Sequence, residues 1–162
     1  MADPGGVLHC PDMATRSVSV SRRIAASPEA IFALLVDPAK HPLLDGSGSL
    51  VRVAGKPPTR LGPGSRFSMD MRLGVPYRMR NTVVEFAEGK RIAWAHVGAA
   101  RWRWELARED DGATTVTETF DWSTSPVGFL IERSGFPERN RASMAASLER
   151  LARLVETASA DR

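Results

Sequence analysis

The sequence predicts an α+β protein in which a curved, seven-stranded antiparallel sheet wraps around one long C-terminal helix. Residues 17–24 and most of 50–123 alternate apolar and polar side chains with the period of two that half-buried strands show. Short glycine-containing connections between the later strands favour antiparallel pairing, because parallel strands need long crossovers. The stretch after Pro137 contains no glycine or proline and repeats apolar residues at helical spacing.

The first strand is followed by two short helices. Ser27, Pro28 and Glu29 form a helix start, with Ser27 as the N-cap and Pro28 at a position where a missing N–H costs nothing. Asp37 and Pro38 interrupt this helix, because a proline inside a helix removes a backbone hydrogen bond. The segment "PAKHPLLDGSG" then has room for one more short helical turn before Gly46.

Six further strands are predicted, and their alternation assigns an inner face. The strand segments are "SLVRVAG", "RFSMDMRL", "VPYRMRNTVVEFA", "RIAWAHV", "RWRWELARE" and "TTVTETFDWS". In "RWRWELARE", Trp102 and Trp104 share one face, while Arg101, Arg103 and Glu105 are expected to face water. The parity of residues 77–86 stays open, because Val84 and Phe86 offer an equally apolar face and a bulge would exchange the two faces.

The C-terminal region is expected to leave a space beneath the sheet. "STSPVGFL" is either a loop or a short helix, and the helix that opens at Pro137 buries Met144, Leu148, Leu151, Leu154 and Val155. About 20 helical residues form a rod roughly 30 Å long, enough to cross a sheet. A helix about 10 Å wide does not fill a seven-stranded sheet, so a cavity remains unless the sheet flattens onto the helix.

Four segments, taken in order, resemble the helix-grip superfamily (SRPBCC), which includes START lipid-binding domains, birch-pollen allergens and bacterial polyketide cyclases or dehydrases. They are "SVSVSRRIAASPEAIFALLVDPAKHP", "RNTVVEFAEGKRIAWAHV", "TTVTETFDW" and the terminal helix. The resemblance extends from about Ser17 to Thr157 and implies a helix-grip fold of the polyketide cyclase/dehydrase-like branch. We therefore expect residues 17–158 to form a single helix-grip ligand-binding domain after a disordered N-terminal tail, residues 1–16.

The inner face supplies the candidate ligand-binding residues. Aromatic and methionine side chains with a few polar tips are typical of pockets for planar or elongated apolar molecules. The candidates are Phe67, Met69, Met71, Tyr77, Met79, Asn81, Trp94, Trp102, Trp104, Glu118, Phe120 and Trp122.

Glu118 and His96 are the candidate catalytic residues. Glu118 either meets an arginine or solvent at the cavity mouth, or serves as a ligand anchor or general base with a raised pKa. For His96, at the end of its strand, a surface position is favoured over a cavity position, and the same holds for His41 and Asp45. Asn81 and Tyr77 are placed either to bind a ligand or to satisfy backbone groups.

Composition excludes several other classes of protein. The formal charge is +3, but basic residues are interleaved with acidic ones, which favours a solvated mixed surface over nucleic-acid binding. No nucleophile elbow, phosphate-binding loop or metal-ligand spacing is present, so neither a metal nor another cofactor is expected. No apolar run is long enough for an integral membrane segment. A cytoplasmic monomer or homodimer is expected, with no reactive role for Cys10 in the tail.

Three functions fit these expectations. The first is binding of a small hydrophobic ligand, such as a lipid, a polyketide or an aromatic metabolite, between the sheet and the terminal helix. The alternative implied by the resemblance is a polyketide cyclase or dehydratase in which Glu118 or His96 moves a proton next to a carbonyl. The third is an interaction protein whose cavity has collapsed.

Overall fold

The computed structural model describes residues 16–96 and 98–160, so the expectations for Cys10 and for the disordered tail before Arg16 lie outside the described residues. The strands are β1 (Ser17–Ile24), β2 (Leu50–Ala54), β3 (Arg66–Leu73), β4 (Val75–Ala87), β5 (Arg91–Ala95), β6 (Arg101–Arg108) and β7 (Thr114–Asp121). The helices are α1 (Pro28–Leu35), α2 (His41–Leu44), α3 (Gly128–Arg133) and α4 (Phe136–Ala160), and a 3₁₀ turn, Pro38–Lys40, precedes α2.

The sheet has the predicted architecture. Within the described residues it contains seven strands in the order β1-β7-β6-β5-β4-β3-β2, and every neighbouring pair is antiparallel. The first strand thus pairs with the last, and α1 and α2 connect the two edges of the sheet. The α+β helix-grip fold, the two short helices and the long terminal helix are confirmed.

The first helix begins where the sequence predicts. Ser27 has extended backbone and its side chain accepts a hydrogen bond from the amide of Ala30 at 3.3 Å, which satisfies one of the free N–H groups of the first turn. Pro28 follows in the first helical turn. At the other end of the chain, the open alternative for "STSPVGFL" is resolved, because Gly128–Arg133 forms the short helix α3.

A β-bulge in β4 changes which residues of this strand face inward, from odd-numbered ones before it to even-numbered ones after it. Val83 pairs with Trp94, but the next pair is Glu85 with Ala93, so one residue of β4 has no opposite partner. Val83 is buried before the bulge, and after it Phe86 turns inward and packs edge-on against Phe32 at 5.7 Å between ring centroids. The predicted inward alternative for Val84 is wrong, since its side chain is 48% exposed.

The outer face of the sheet carries ion pairs. Arg101, Arg103 and Glu105 lie on this face, as expected, and are partly exposed because they form ion pairs with neighbouring side chains. The Arg103 guanidinium donates to both carboxylate oxygens of Glu85, at 2.7 and 3.1 Å. This hydrogen bonding lowers the pKa of Glu85, so the carboxylate stays ionised.

The C-terminal half of α4 forms the main core. Leu148, Leu151 and Val155 are at most 5% exposed and share one buried cluster with residues of α1 and the central strands. The predicted burial of Leu154 is wrong, because its side chain is 37% exposed and Ala152 occupies the buried stripe instead.

Helix α4 is also held against the end of α2. Gly46 donates its amide to the Ser147 hydroxyl at 2.9 Å, and a Cβ at Gly46 would collide with the Ser143 carbonyl oxygen and the Ser147 amide nitrogen. Only a glycine allows the two backbones to come this close. The contact fixes α2 over the middle of α4, next to the cavity described below.

Candidate functional site

A cavity of about 540 Å³ lies between the sheet and the N-terminal half of α4. This volume is within the range of small-molecule sites, and most of the lining is apolar. The structure therefore contradicts the alternative of a collapsed interior. The lining comprises Leu35, His41, Leu44, Asp45, Ser47, Ser49, Leu50, Met69, Met71, Leu73, Tyr77, Met79, Trp94, His96, Ala100, Trp102, Trp104, Glu118, Phe120, Ile131, Phe136, Arg139, Asn140, Ser143 and Ser147.

All the candidate ligand-binding residues except Phe67, Asn81 and Trp122 line this cavity. Phe67 is in the core, where its ring packs edge-on against His41 and Trp94 at centroid distances of 5.5 and 5.6 Å. Asn81 is 2% exposed and lies behind His96. Trp122 is 5% exposed and packs against Phe120 at 5.4 Å. These three side chains support the wall instead of forming its surface.

Glu118 is buried in the wall and is 1% exposed. Its Oε1 accepts a hydrogen bond from Trp102 Nε1 at 2.5 Å, and its Oε2 has no hydrogen-bond partner among the described residues. Burial raises the pKa of Glu118 well above its ordinary value, and the Asp45 carboxylate adds to the rise, although the indole bond opposes it. The alternative of an arginine partner or a solvated position at the mouth is wrong.

His96 lines the cavity, so the surface position favoured from the sequence is wrong. Its Nδ1 lies 2.7 Å from Asn81 Oδ1, and no described residue is bonded to its Nε2. Burial lowers the pKa of His96 to about 4, so the imidazole is neutral near pH 7. Because an amide oxygen only accepts, Nδ1 carries the proton and Nε2 presents a lone pair.

His41 is also buried, in contrast to the expected surface position. Its ring stacks on Trp94 at 5.2 Å between centroids, and its Nε2 donates to the Leu35 carbonyl oxygen at 2.9 Å. Burial lowers the pKa of His41, so this ring is a neutral part of the wall. Asp45 lines the cavity and accepts hydrogen bonds from the amides of Ser47 and Leu50, which orders the loop beside α2.

The exposed lining residues mark the mouth of the cavity. Leu73 is 47% exposed, and Tyr77 and Phe136 are each 39% exposed. Burial and the Asp45 carboxylate raise the pKa of Tyr77, which keeps the phenol neutral. Arg139 lies over the Phe136 ring at 5.6 Å, so a cation also stands at this opening.

The sequence interpretation missed the contribution of α4 to the cavity. Arg139, Asn140, Ser143 and Ser147 line it, together with Ser47 and Ser49 from the loop after α2. A signal was present, because Arg139, Ser143 and Ser147 recur every four residues and interrupt the apolar stripe of the helix. Small or polar residues at these positions leave unfilled the space that leucines would occupy.

The described part of the chain holds neither a metal-binding cluster nor a membrane-spanning helix. Residues 16–96 and 98–160 bring no three histidine, cysteine or acidic side chains together in a group able to hold a metal ion. In the same residues no helix has both the length and the hydropathy needed to cross a bilayer.

The fold and the cavity define a START-like helix-grip protein. The chain belongs to the family described as polyketide cyclase / dehydrase and lipid transport, whose model matches residues 15–156. This result confirms the branch of the superfamily that the sequence motifs indicated.

One relative is similar to the chain in sequence, and two solved structures are similar to it in fold. The chain is 39% identical to uncharacterized protein Rv0088 of Mycobacterium tuberculosis over 139 residues, which cover 83% of this chain and 62% of that protein. Protein Ms6760 of Mycobacterium smegmatis has a similar fold, with a TM-score of 0.68, 15% identity, and coverage of 91% of this chain and 95% of that one. An AHSA1-like protein of Aeromonas hydrophila superposes with a TM-score of 0.64 at 20% identity, covering 88% and 94% of the two chains.

Proposed function

We propose that the protein binds a small hydrophobic molecule, such as a lipid, a polyketide or an aromatic metabolite, in the cavity between the sheet and α4. The observation that carries this proposal is the apolar-lined space of about 540 Å³ that remains beneath an otherwise close-packed sheet. Tryptophan, phenylalanine and methionine walls provide affinity through buried apolar area, and a few polar groups orient the ligand. The family description, which includes lipid transport, supports the same conclusion.

The test uses the uncharged fluorescent dye Nile red and two matched leucine substitutions on α4. Ser143 lines the cavity, whereas Ala145 is exposed on the same helix. We expect saturable dye binding by the wild type, strongly weakened binding by Ser143→Leu, and wild-type binding by Ala145→Leu. If both variants bind like the wild type, the dye occupies another surface and the proposal is wrong.

A polyketide cyclase- or dehydratase-type activity is the second candidate. The observation that favours it is that Glu118, a carboxyl group with a raised pKa, and His96, a neutral imidazole, line one cavity. Incubation with a linear chain of alternating ketones separates the two functions. Cyclised or dehydrated product that disappears in Glu118→Gln, with Nile red affinity preserved, supports the enzyme. The absence of product from the wild type supports the binding protein.

The expectations about the extent of the domain, its location and its oligomeric state are part of the same proposal. Residues 17–158 act as one ligand-binding domain, in the cytoplasm, as a monomer or homodimer without a nucleic-acid partner or cofactor. The chain spans 62% of the length of its Mycobacterium tuberculosis relative. Sedimentation of the purified protein with and without ligand measures the oligomeric state.

A further inference from the structure

A row of polar side chains crosses four neighbouring strands beneath the cavity. Asn81 lies on β4, His96 directly follows β5, Trp102 lies on β6 and Glu118 on β7. Asn81 Oδ1 accepts a hydrogen bond from His96 Nδ1 at 2.7 Å, and Trp102 Nε1 donates one to Glu118 Oε1 at 2.5 Å. The rings of His96 and Trp102 lie next to each other, with 6.3 Å between their centroids. We call these four residues the polar row.

Glu118 acts as a hydrogen-bond donor in this row. Its side chain has no ion-pair partner among the described residues, and burial raises its pKa well above the ordinary value, which favours the protonated form. The indole N–H already occupies Oε1, so the proton resides on Oε2, the oxygen without a partner in the described structure. A buried O–H group without an acceptor is costly, and a ligand oxygen at this point would remove the cost.

His96 provides a hydrogen-bond acceptor, in contrast to the donor at Glu118. Its Nδ1–H is used by Asn81, and its Nε2 offers a lone pair on a residue that lines the cavity. Trp104, which pairs with Glu118 across β6 and β7, adds a second donor, because its buried Nε1 has no partner in the described structure. The wall therefore holds two buried, unpaired donors near Glu118 and one acceptor at His96, and a ligand reaches the donors only after a small movement of the Glu118 and Trp104 side chains.

We propose that the polar row selects an uncharged ligand that places a carbonyl oxygen against Glu118 and a hydroxyl group against His96. This inference rests on the proposed binding function and adds the chemical class of the ligand. A carboxylate is disfavoured at the same place, because its burial carries a desolvation cost, the Asp45 side chain also lines the cavity, and Arg139, the cation of the lining, is exposed beside Phe136 at the mouth. The remaining titratable groups in the lining are Tyr77 on β4 and His41 on α2.

Four naphthalenes that differ in their substituents test this selection by displacing Nile red. Ethylnaphthalene has no polar group, acetylnaphthalene adds an acceptor, hydroxyacetylnaphthalene adds a donor as well, and naphthoate is an anion of similar size. At pH 7 the acetyl compound is expected to bind roughly three- to tenfold more tightly than the ethyl compound, the gain of one satisfied hydrogen bond. Naphthoate is expected to bind more weakly than the acetyl compound.

Substitutions at Glu118 distinguish a neutral donor from a carboxylate. Glu118→Gln keeps an acceptor for Trp102 and an N–H donor for the ligand, so it should retain the preference for acetylnaphthalene. Glu118→Leu removes the donor and should abolish the preference. In the wild type, raising the pH above the pKa of Glu118 should also remove it, while Glu118→Gln keeps it at every pH. His96→Phe should cancel only the additional gain from the hydroxyl group.

The outcomes separate the two proposals. If the wild type does not bind Nile red, or if Ser143→Leu binds it as well as the wild type does, the binding function itself is wrong. If the dye binds in the cavity but none of the four probes displaces it, the binding function stands and the inference is wrong. If all four bind with equal affinity, binding stands and the selection by the polar row is wrong. Loss of the acetyl preference in Glu118→Gln, with an unchanged melting temperature, would show that a neutral donor at this position does not produce the preference and would also overturn the inference.

Discussion

The two halves of α4 face the same sheet but produce different interiors. Leu148, Leu151 and Val155 of the C-terminal half pack into a continuous core, whereas Ser143 and Arg139 of the N-terminal half border the cavity. The opposing strands also differ, because aliphatic residues such as Ile92 and Val116 meet the packed half, whereas Tyr77, His96 and Glu118 stand among the aromatic residues of the hollow half. The small and polar side chains of α4 at the cavity end leave a space that the leucines of the other half fill.

The largest effect on stability is expected in the packed half. Leu151→Ala should lower the free energy of unfolding by about 3 kcal/mol, since Leu151 is fully buried and its removal leaves a new void. Met71→Ala, at the edge of the existing cavity, should cost only about 1 kcal/mol, because little new space is created there. Urea denaturation of both variants measures the contrast, and equal losses would break the distinction between the two halves.

A smaller effect is expected where α2 is fixed against α4. Gly46→Ala should destabilise the protein by about 2 kcal/mol, because the added methyl group meets backbone atoms of α4 that have little freedom to move. Gly62→Ala is the matched control, since a Cβ there has nothing within 4 Å and its φ lies outside the left-handed region. Thermal unfolding of the pair gives the comparison, and similar melting temperatures would contradict the close approach.

The smallest effect is a pH dependence confined to the hollow half. Burial raises the pKa of Glu118 in the folded state, so the folded protein binds more protons than the unfolded chain above pH 4.5, and stability falls as the pH rises towards the folded pKa. The slope is at most about 1.4 kcal/mol per pH unit, the effect of one proton. Glu118→Gln should lack this decline.

Two histidines oppose this trend at lower pH. His41 and His96 both have lowered pKa values in the folded state, so their contribution to stability rises with pH until it levels off near the ordinary value of 6.5. Both proteins contain the two histidines, so the histidine contributions cancel when the stability of Glu118→Gln is subtracted from that of the wild type at each pH. Parallel stability curves for the two proteins from pH 5 to 9 would show that Glu118 is not held in its neutral form.

The fold could be predicted from local patterns because each element carries its own signal. Alternation in "RWRWELARE", the N-cap at Ser27 and the proline-free stretch after Pro137 each predict one element, and antiparallel pairing follows from the short connections. The aromatic wall of the cavity followed from the same alternation. The sequence did not show which residues that are far apart in the chain lie close together in the folded protein.

The polar residues show why the rest could not be predicted. His96 stands at the end of a strand, a position that is usually solvated, but Asn81 from the adjacent strand covers one of its ring nitrogens. His41 begins a helix of only four residues, yet Trp94, 53 positions further along the sequence, stacks on it. Such burial depends on tertiary packing, which neither periodicity nor composition encodes for single residues.

The bulge at Val84 gives β4 two independent segments within one strand. Residues before it present odd-numbered side chains to the cavity, and Phe86 after it turns to the core beneath α1. Because the unpaired residue absorbs the change of phase, substitutions in the segment that lines the cavity do not shift the segment that packs against α1. Removing this single residue would turn the inward side chains of one of the two segments to the outer face of the sheet.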